Sequence, residues 1–164
     1  MPKTTIQPVK KSSTTWGQIA FWSLIPAIVL VPLWLTLGRT VFGVGGWYIL
    51  IFMFSLAPLA FIYHVTVEIL AWFGPKKRSL TSNAAYILGT YYGAVLLFGL
   101  SIVDFGDTSG SEASVLTAIG IPLIVSHLIS AASGLIMLVA AILLLVVLIR
   151  DISTARKAKV TTVK

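Results

Sequence analysis

The stretch "FIYHVTVEILAWFGPKKRS", Phe61 to Ser79, is the segment that best indicates the fold. It is an apolar run that ends in a Gly-Pro pair and three consecutive cations, and it contains two ionisable side chains, His64 and Glu68, four residues apart. Apolar runs long enough to enter a membrane rarely hold such side chains, because a charge in lipid is costly. The role of the pair therefore depends on the medium around it.

The composition indicates that this medium is lipid. The chain has 164 residues, of which 57% are hydrophobic and 10% charged, and its mean hydropathy is +0.98. A soluble domain has about 25% charged residues, so this chain has too few to cover a water-facing surface. The absence of cysteine excludes disulfides, thiolate metal sites and iron–sulfur clusters. We expect one integral membrane domain.

Four apolar segments are long enough to span a bilayer, since about 20 residues cross its hydrocarbon core. The predicted spans are residues 17–38, 47–73, 84–103 and 119–149. They form a predicted transmembrane domain over 17–150, between basic tails at 1–16 and 151–164. Lipid offers the backbone no hydrogen-bond partners, and no alternating barrel pattern is present. The fold class is therefore all-α, an integral membrane four-helix bundle.

The positions of the cations predict its orientation. Most of them flank the same ends of the spans: Lys3, Lys10, Lys11, Lys76, Lys77, Arg78, Arg150, Arg156, Lys157, Lys159 and Lys164. Only Arg39 falls on the other side. Cations collect on the cytoplasmic side, so both termini and the 74–83 loop are predicted to be cytoplasmic. The net charge of +7 fits lipid headgroups better than nucleic acid, and the small size and short loops suggest a bacterial cytoplasmic membrane.

Prolines and polar residues predict details of the helices. Pro26 and Pro32 in the first span and Pro58 in the second remove backbone donors and can kink their helices. Each kink is either packing around a bend or a hinge of the broken-helix type found in transporters. Ser82 or Asn83 could cap the third helix.

Two stripes of small residues predict where helices meet. The third span carries Ala85, Gly89 and Gly93 at intervals of four, and the fourth carries Ser126, Ser130 and Gly134 in the same way. Small side chains allow backbones to approach closely, which is a main cause of helix association in lipid. The stripes can pack inside the bundle or against another chain.

His64 and Glu68 share one helix face and allow three interpretations. In the structural one, Glu68 pairs with Arg150 or with the Lys76–Arg78 cluster, and His64 hydrogen-bonds inside the bundle. In the transport one, the pair exchanges protons, because histidine titrates near neutrality. In the ligand one, the two side chains hold a metal or a cofactor.

His127 bears on the ligand interpretation, since two histidines at similar depth can hold a haem. At 1.5 Å per residue, His127 lies near the outer boundary and roughly 20 Å above His64 along the membrane normal. A shared haem is disfavoured unless the long fourth helix protrudes into the cytoplasm. One histidine could instead act alone, as the ligand of a haem or pigment shared with another subunit.

Other catalytic patterns are missing from the sequence. There is no HExxH, GxSxG, P-loop or GxGxxG pattern. The outer acids Asp104, Asp107 and Glu112 are more typical of a solvated loop than of a site. No catalytic residue, metal site or cofactor is predicted.

The leading hypothesis is a non-catalytic membrane protein, an accessory or structural subunit of a larger assembly or a self-associating bundle. Its partners would be lipid, other membrane subunits or itself. A small oligomeric proton-linked transporter or channel using Glu68 and His64 is the alternative. A haem- or pigment-binding subunit that uses His64 or His127 is a second, weaker alternative.

Overall fold

The computed structural model describes residues 15–75, 78–105 and 112–162. Within these ranges the chain is helical and forms no β-strand, and one isolated backbone bridge joins Asp104 to Ala113. The predicted all-α class is confirmed to that extent. Of the predicted features, Lys76, Lys77, Asp107 and most of the amino-terminal tail lie outside the described residues.

The helices follow in chain order as α1 (Thr15–Leu37), a 3₁₀ turn (Gly38–Phe42), α2 (Trp47–Phe54), α3 (Leu56–Trp72), α4 (Ser82–Ser101), α5 (Val115–Ala118) and α6 (Leu123–Thr162). Within the described ranges, three helical segments are long and apolar enough to cross a membrane: Trp16–Phe42, Ser82–Ser101 and Leu123–Lys157. The bent pair of α2 and α3 passes the same test when it is counted as one span. Three long apolar helices indicate a membrane protein.

The second predicted span is broken rather than continuous. It consists of two helices that meet at Ser55 with a bend of 41°. The cause is Pro58, which lacks a backbone N–H and whose ring clashes with the carbonyl four residues earlier, that of Phe54. α2 ends at that residue. Pro26 and Pro32, in contrast, lie inside an uninterrupted α1.

The fourth predicted span has different bounds in the structure. It is preceded by the single turn α5, and α6 begins at Leu123 rather than Ile119. α6 then continues as one helix to Thr162 and comprises 40 residues. At 1.5 Å per residue it is ~60 Å long, about twice the hydrocarbon thickness of a bilayer. Most of the carboxy-terminal basic tail is therefore the end of this helix and not a separate segment.

α4 occupies the centre of the fold. It contacts α6 along much of its length and also contacts α1, which in turn lies against α3. Leu88, Tyr91 and Val95 of α4 are buried together with Leu144 and Leu148 of α6. The outward faces of the long helices stay apolar, as surfaces that meet lipid do.

One end of the molecule, which we name the Thr81 end, joins the start of α1, the start of α4 and the later part of α6. Leu80 N donates a hydrogen bond to the Gly17 carbonyl at 3.0 Å. Thr81 Oγ1 donates to Asp151 Oδ2 at 2.7 Å. The contact at Gly17 is close, since a Cβ there would lie 2.4 Å from the Leu80 carbonyl oxygen. A glycine is therefore needed at that position.

The cap of α4 differs from the prediction by one residue. Thr81, with extended backbone, accepts a hydrogen bond from Ala84 N through its side chain at 3.4 Å. Ser82 is already the first helical residue, so neither it nor Asn83 is the cap. A hydroxyl can donate and accept at once, which lets Thr81 cap α4 and bond Asp151 together.

The opposite end, which we name the Arg39 end, joins the end of α1, the start of α2, the end of α4 and the start of α6. Trp47 N donates to the Phe105 carbonyl at 3.2 Å. Ser126 Oγ donates to the Ser101 carbonyl at 2.7 Å. The long helices therefore alternate in direction between the two ends.

Candidate functional site

His64 and Glu68 lie on successive turns of α3 and both face the interior. His64 has no exposed surface, and Glu68 is buried as well. The i, i+4 spacing brings them to one face, as predicted. That face is turned towards protein and not towards lipid.

His64 has one ring nitrogen satisfied and one free. Nδ1 lies 2.7 Å from the Ala60 carbonyl oxygen, which can only accept, so Nδ1 carries a proton in this contact. Nε2 is buried and has no hydrogen-bond partner among the described residues. The rings of Tyr63, Tyr91 and Tyr92 surround the imidazole, with centroids 5.3, 5.5 and 6.4 Å away. The free nitrogen therefore lies in an aromatic environment.

Among the described residues, Glu68 is held by an indole and forms no ion pair. Trp72 Nε1 donates to Glu68 Oε1 at 2.7 Å, and Oε2 is buried without a partner in the described part of the chain. The predicted partners lie elsewhere: Arg78 stands over the rings of Trp22 and Trp72, each 5.9 Å from its guanidinium carbon. Arg150 is exposed.

The predicted ion pair of Glu68 with Arg150 or Arg78 is thus absent from the structure. The helix supplies a nearer donor, because the indole of Trp72 lies one turn away on the same face. The other two members of the predicted cluster, Lys76 and Lys77, are outside the described ranges.

His127 lies apart from His64. It is exposed on the first turns of α6, next to Ser126, which bonds the end of α4 at Ser101. His64 contacts α4 at Tyr91, ten residues earlier, which is ~15 Å along the helix at 1.5 Å per residue. Among the described residues, no group of three or more His, Asp or Glu side chains could hold a metal ion. The structure does not bring the two histidines together.

The small residues of the α6 stripe pack against other parts of the same chain. Ser126 is fully buried, and its hydroxyl also lies 2.6 Å from that of Ser114. Gly134 faces α4, where an added Cβ would lie 3.2 Å from the Phe98 ring. Ser130, between them, is partly buried. These residues line the interface between α4 and α6.

Of the three small residues in the α4 stripe, only Ala85 and Gly89 pack against the rest of the described chain. Ala85 is fully buried, and a Cβ at Gly89 would lie 3.5 Å from the Trp16 ring. Gly93 is different, because it is exposed and a Cβ there would meet nothing within 4 Å. The contacts of this chain give no reason for a glycine at that position.

A buried ion pair at the Arg39 end was missed by the sequence analysis. Arg39 Nη1 lies 3.1 Å from Asp104 Oδ2, and the side chains are 1% and 3% exposed. The guanidinium also faces the rings of Tyr48 and Phe52, at 5.9 and 5.6 Å. Its Nε and Nη2 have no hydrogen-bond partner in the ranges that the structure describes.

Asp104 also organises the backbone around it. Its Oδ1 accepts hydrogen bonds from Tyr48 N and Phe105 N, both at 2.9 Å. It therefore satisfies one of the free N–H groups at the start of α2. The prediction that Asp104 solvates a loop is wrong, whereas Glu112 is exposed as a solvated acid would be.

A signal for this pair is present in the sequence. Arg39 is the only cation at its end of the spans, and Asp104 ends the neighbouring third span. A lone cation and an acid at the same membrane boundary can neutralise each other. Spacing alone does not reveal the pair, because 65 positions separate the two residues.

A groove runs between α1 and α4 on the outer surface, and we name it the α1–α4 groove. Its volume is about 630 Å³. It is lined by Ser23, Pro26, Ala27, Leu30, Val31, Leu33, Trp34, Leu37, Gly38, Val41, Tyr92, Val95 and Leu96. Neither His64 nor Glu68 lines it. The apolar groove and the inward-facing polar pair are therefore separate features.

Comparison of the chain with known protein families, with characterised proteins and with solved structures finds no match to any of them.

Proposed function

We propose that this chain is a non-catalytic protein that crosses a bacterial cytoplasmic membrane four times and works by associating with another membrane-embedded chain. The partner is a second copy or a subunit of a larger assembly. The bent pair of α2 and α3 would form the second of the four spans. Both termini and the 74–83 loop would face the cytoplasm.

The charge distribution supports this orientation. The cations Arg78, Arg150 and Arg156 belong to the Thr81 end, and all three are exposed. The one described cation at the opposite end, Arg39, is neutralised by Asp104. Among the described residues, exposed positive charge is thus confined to one end, which the positive-inside rule assigns to the cytoplasm.

Gly93 is the observation on which the proposed association rests. A glycine inside a helix is less favourable than alanine by roughly 1 kcal/mol in water, so it needs a compensating contact. Gly99, by comparison, lies against Trp34, where a Cβ would approach the indole to 2.4 Å. Gly93 has no such neighbour in the part of the chain that the structure describes, and it is exposed. Because Gly93 has no side chain, the backbone of a helix from another chain could approach it closely.

The test measures the size of the assembly after Gly93 is replaced by a larger residue. The wild-type chain, 17.7 kDa, should elute from mild detergent as a larger complex or co-isolate a partner from native membranes. Gly93→Leu should lose that association, because its side chain fills the space of the approaching backbone. Light scattering and pull-down measure both outcomes.

The matched control is Ala132→Leu, which adds similar bulk at an exposed position of α6. It should leave the association intact, and the helical circular dichroism of both variants should equal that of the wild type. A wild-type monomer that co-isolates nothing, or a Gly93→Leu variant that associates normally, would contradict the proposal.

A second candidate function is proton-linked transport. It is favoured by two buried acceptors that have no donor among the described residues, His64 Nε2 and Glu68 Oε2, and by the break between α2 and α3 at Ser55. Broken helices and intramembrane ionisable residues occur together in transporters. The double variant His64→Ala with Glu68→Gln separates the two functions. Loss of proton-coupled flux with an intact assembly would support transport. Loss of the assembly, in a protein whose wild type shows no flux, would support the structural role.

A further inference from the structure

Trp72 lies between the buried carboxyl group of Glu68 and the surface of the Thr81 end. It is the last residue of α3, one turn beyond Glu68, and its indole is half exposed. Glu68 is only 8% exposed, and its Oε1 accepts the hydrogen bond from Trp72 Nε1 at 2.7 Å. The step from one residue to the other is ~6 Å along the helix axis. The indole therefore covers the carboxyl group on the side of the Thr81 end.

Contacts on three sides hold the Trp72 ring in this position. The hydrogen bond to Glu68 is the first. The second is an edge-to-face contact with Phe21 of α1, with the ring centroids 5.4 Å apart and an interplanar angle of 73°. The third is Arg78, whose guanidinium carbon lies 5.9 Å from the ring centroid of Trp72 and 5.9 Å from that of Trp22. The indole thus donates to an acid at its edge and faces a cation over its ring, as the charge distribution of an aromatic ring favours.

The backbone of Arg78 has an unusual conformation that accompanies this contact. Its φ is +54°, and no other non-glycine residue of the described ranges has a positive φ. Residues with a side chain rarely adopt this left-handed region, because Cβ then approaches a carbonyl oxygen. The next two residues, Ser79 and Leu80, are buried, and Leu80 N bonds the Gly17 carbonyl at 3.0 Å. The loop is therefore fixed to α1 directly after Arg78, with the guanidinium over the two indoles.

Two buried acceptors lie behind the indole. Glu68 Oε2 and His64 Nε2 have no hydrogen-bond partner among the described residues, and their side chains are one helical turn apart on one face of α3. The ring of Tyr92 lies parallel to the imidazole, at an interplanar angle of 3° and a centroid distance of 6.4 Å. An acceptor without a donor can take up a proton, and from the Thr81 end Trp72 covers the first of the two.

We propose that Trp72 is a gate through which protons reach Glu68 from the Thr81 end, and that Arg78 is the positioning residue that holds the gate closed. In the structure the gate is closed, since the indole bonds Oε1. Because Trp72 is the last residue of α3, its side chain can turn away from Glu68 without unwinding the helix. The use of the gate rests on the second candidate function, proton-linked transport, whereas the gate itself is tested by the accessibility of Glu68.

The measurement is the rate at which a water-soluble carbodiimide, with glycinamide as the amine, converts the Glu68 carboxyl group to an amide in the full chain in lipid nanodiscs. Peptide mass spectrometry distinguishes Glu68 from the other acids, and Glu68→Gln gives the background. Trp72→Phe keeps a ring beneath Arg78 but removes the N–H donor, so the rate should rise about fivefold, the effect of one lost hydrogen bond of ordinary strength. Trp72→Ala also removes the cover and should raise the rate further.

The role of Arg78 has its own variant and matched controls. Arg78→Gln should raise the labelling rate of Glu68 about threefold, because a cation–π contact at an exposed site contributes a factor of that size. Arg156→Gln removes another exposed cation of the same end, and Trp16→Ala removes an exposed indole of α1. Both controls should be labelled at the wild-type rate, and the helical circular dichroism of all variants should equal that of the wild type.

The results separate the gate from the transport function, because labelling needs no proton flux. Wild-type rates in both Trp72 variants, or equal increases in the two controls, would overturn the gate. Faster labelling of the Trp72 variants in a protein that shows no flux would support the gate and contradict transport. Unchanged labelling in a protein that does show flux would contradict the gate alone.

Discussion

The two ends of the molecule are joined by different chemistry. At the Arg39 end, three elements meet at a buried ion pair between Arg39 and Asp104, 3.1 Å apart. At the Thr81 end, a hydroxyl bonds Asp151 at 2.7 Å and a glycine allows the backbone at Leu80 to approach. One end depends on neutralising charge, and the other depends on short side chains and backbone hydrogen bonds.

The difference follows from whether the charges of each end reach water. Arg150 and Arg156 are exposed, so each needs no partner inside the protein. Arg39 is 1% exposed, and an unpaired buried charge is strongly unfavourable. We therefore expect the Arg39 end to be sensitive to the loss of one charge and the Thr81 end to be sensitive to added volume.

The largest effect is expected from Asp104→Asn. The amide keeps the oxygen that accepts from Tyr48 N but leaves Arg39 charged and buried, so the free energy of unfolding should fall by about 3–5 kcal/mol. Unfolding in mild detergent titrated with dodecyl sulfate, followed by circular dichroism, measures it. Adding Arg39→Met to the same chain should restore most of the loss. If Asp104→Asn alone is as stable as the wild type, the ion pair contributes little to the free energy of unfolding.

A smaller effect is expected from Gly17→Ala at the other end. The new Cβ would lie 2.4 Å from the Leu80 carbonyl oxygen and 2.8 Å from Ser79 Oγ, so the backbone must move at a cost of about 1–3 kcal/mol. Gly93→Ala is the control, because nothing lies within 4 Å of its Cβ. It should leave stability unchanged or raise it. The same unfolding titration distinguishes the two variants. An equal loss of stability in Gly17→Ala and Gly93→Ala would contradict the close contact at Gly17.

The smallest effect is expected from Thr81→Ala. It removes the cap of α4 at Ala84 N and the bond to Asp151, and loss of a cap lowers stability by about 1 kcal/mol. Thr81→Ser, which keeps the hydroxyl, should remain within roughly 0.5 kcal/mol of the wild type. Hydrogen exchange of the first turn of α4 measures the effect locally. Equal protection in Thr81→Ala and the wild type would show that the cap is not needed.

Several features could be predicted from the sequence because they depend on local chemistry. Long apolar segments require helices in lipid, since the backbone has no other partners there. The break in the second span follows from Pro58 in the same way, although the sequence could not tell this proline from Pro26 and Pro32, which leave α1 continuous. The end of α3 at Trp72, just before Gly74 and Pro75, also follows from local residues.

The site residues were predictable in position but not in partner. The spacing of His64 and Glu68 puts them on one face, yet only the packing shows that this face is turned inward. Glu68 bonds Trp72, an indole one turn away on its own helix, and pairs with neither Arg78 nor Arg150. The other members of the predicted cluster, Lys76 and Lys77, lie outside the described residues. The full length of α6 was not apparent from the sequence for a related reason, since its later residues, Ile152 and Ala155 among them, are partly buried.

By itself, the sequence determined the all-helical class and the long apolar helices that indicate a membrane protein, because hydropathy acts on each segment separately. The tertiary structure alone decided that Arg39 pairs with Asp104 across 65 positions, that Gly93 is exposed while Gly134 packs against Phe98, and that α1 and α4 leave a groove between them. These features depend on which helix faces touch. In lipid, hydrophobicity does not select among faces, so composition and periodicity carry little information about that choice.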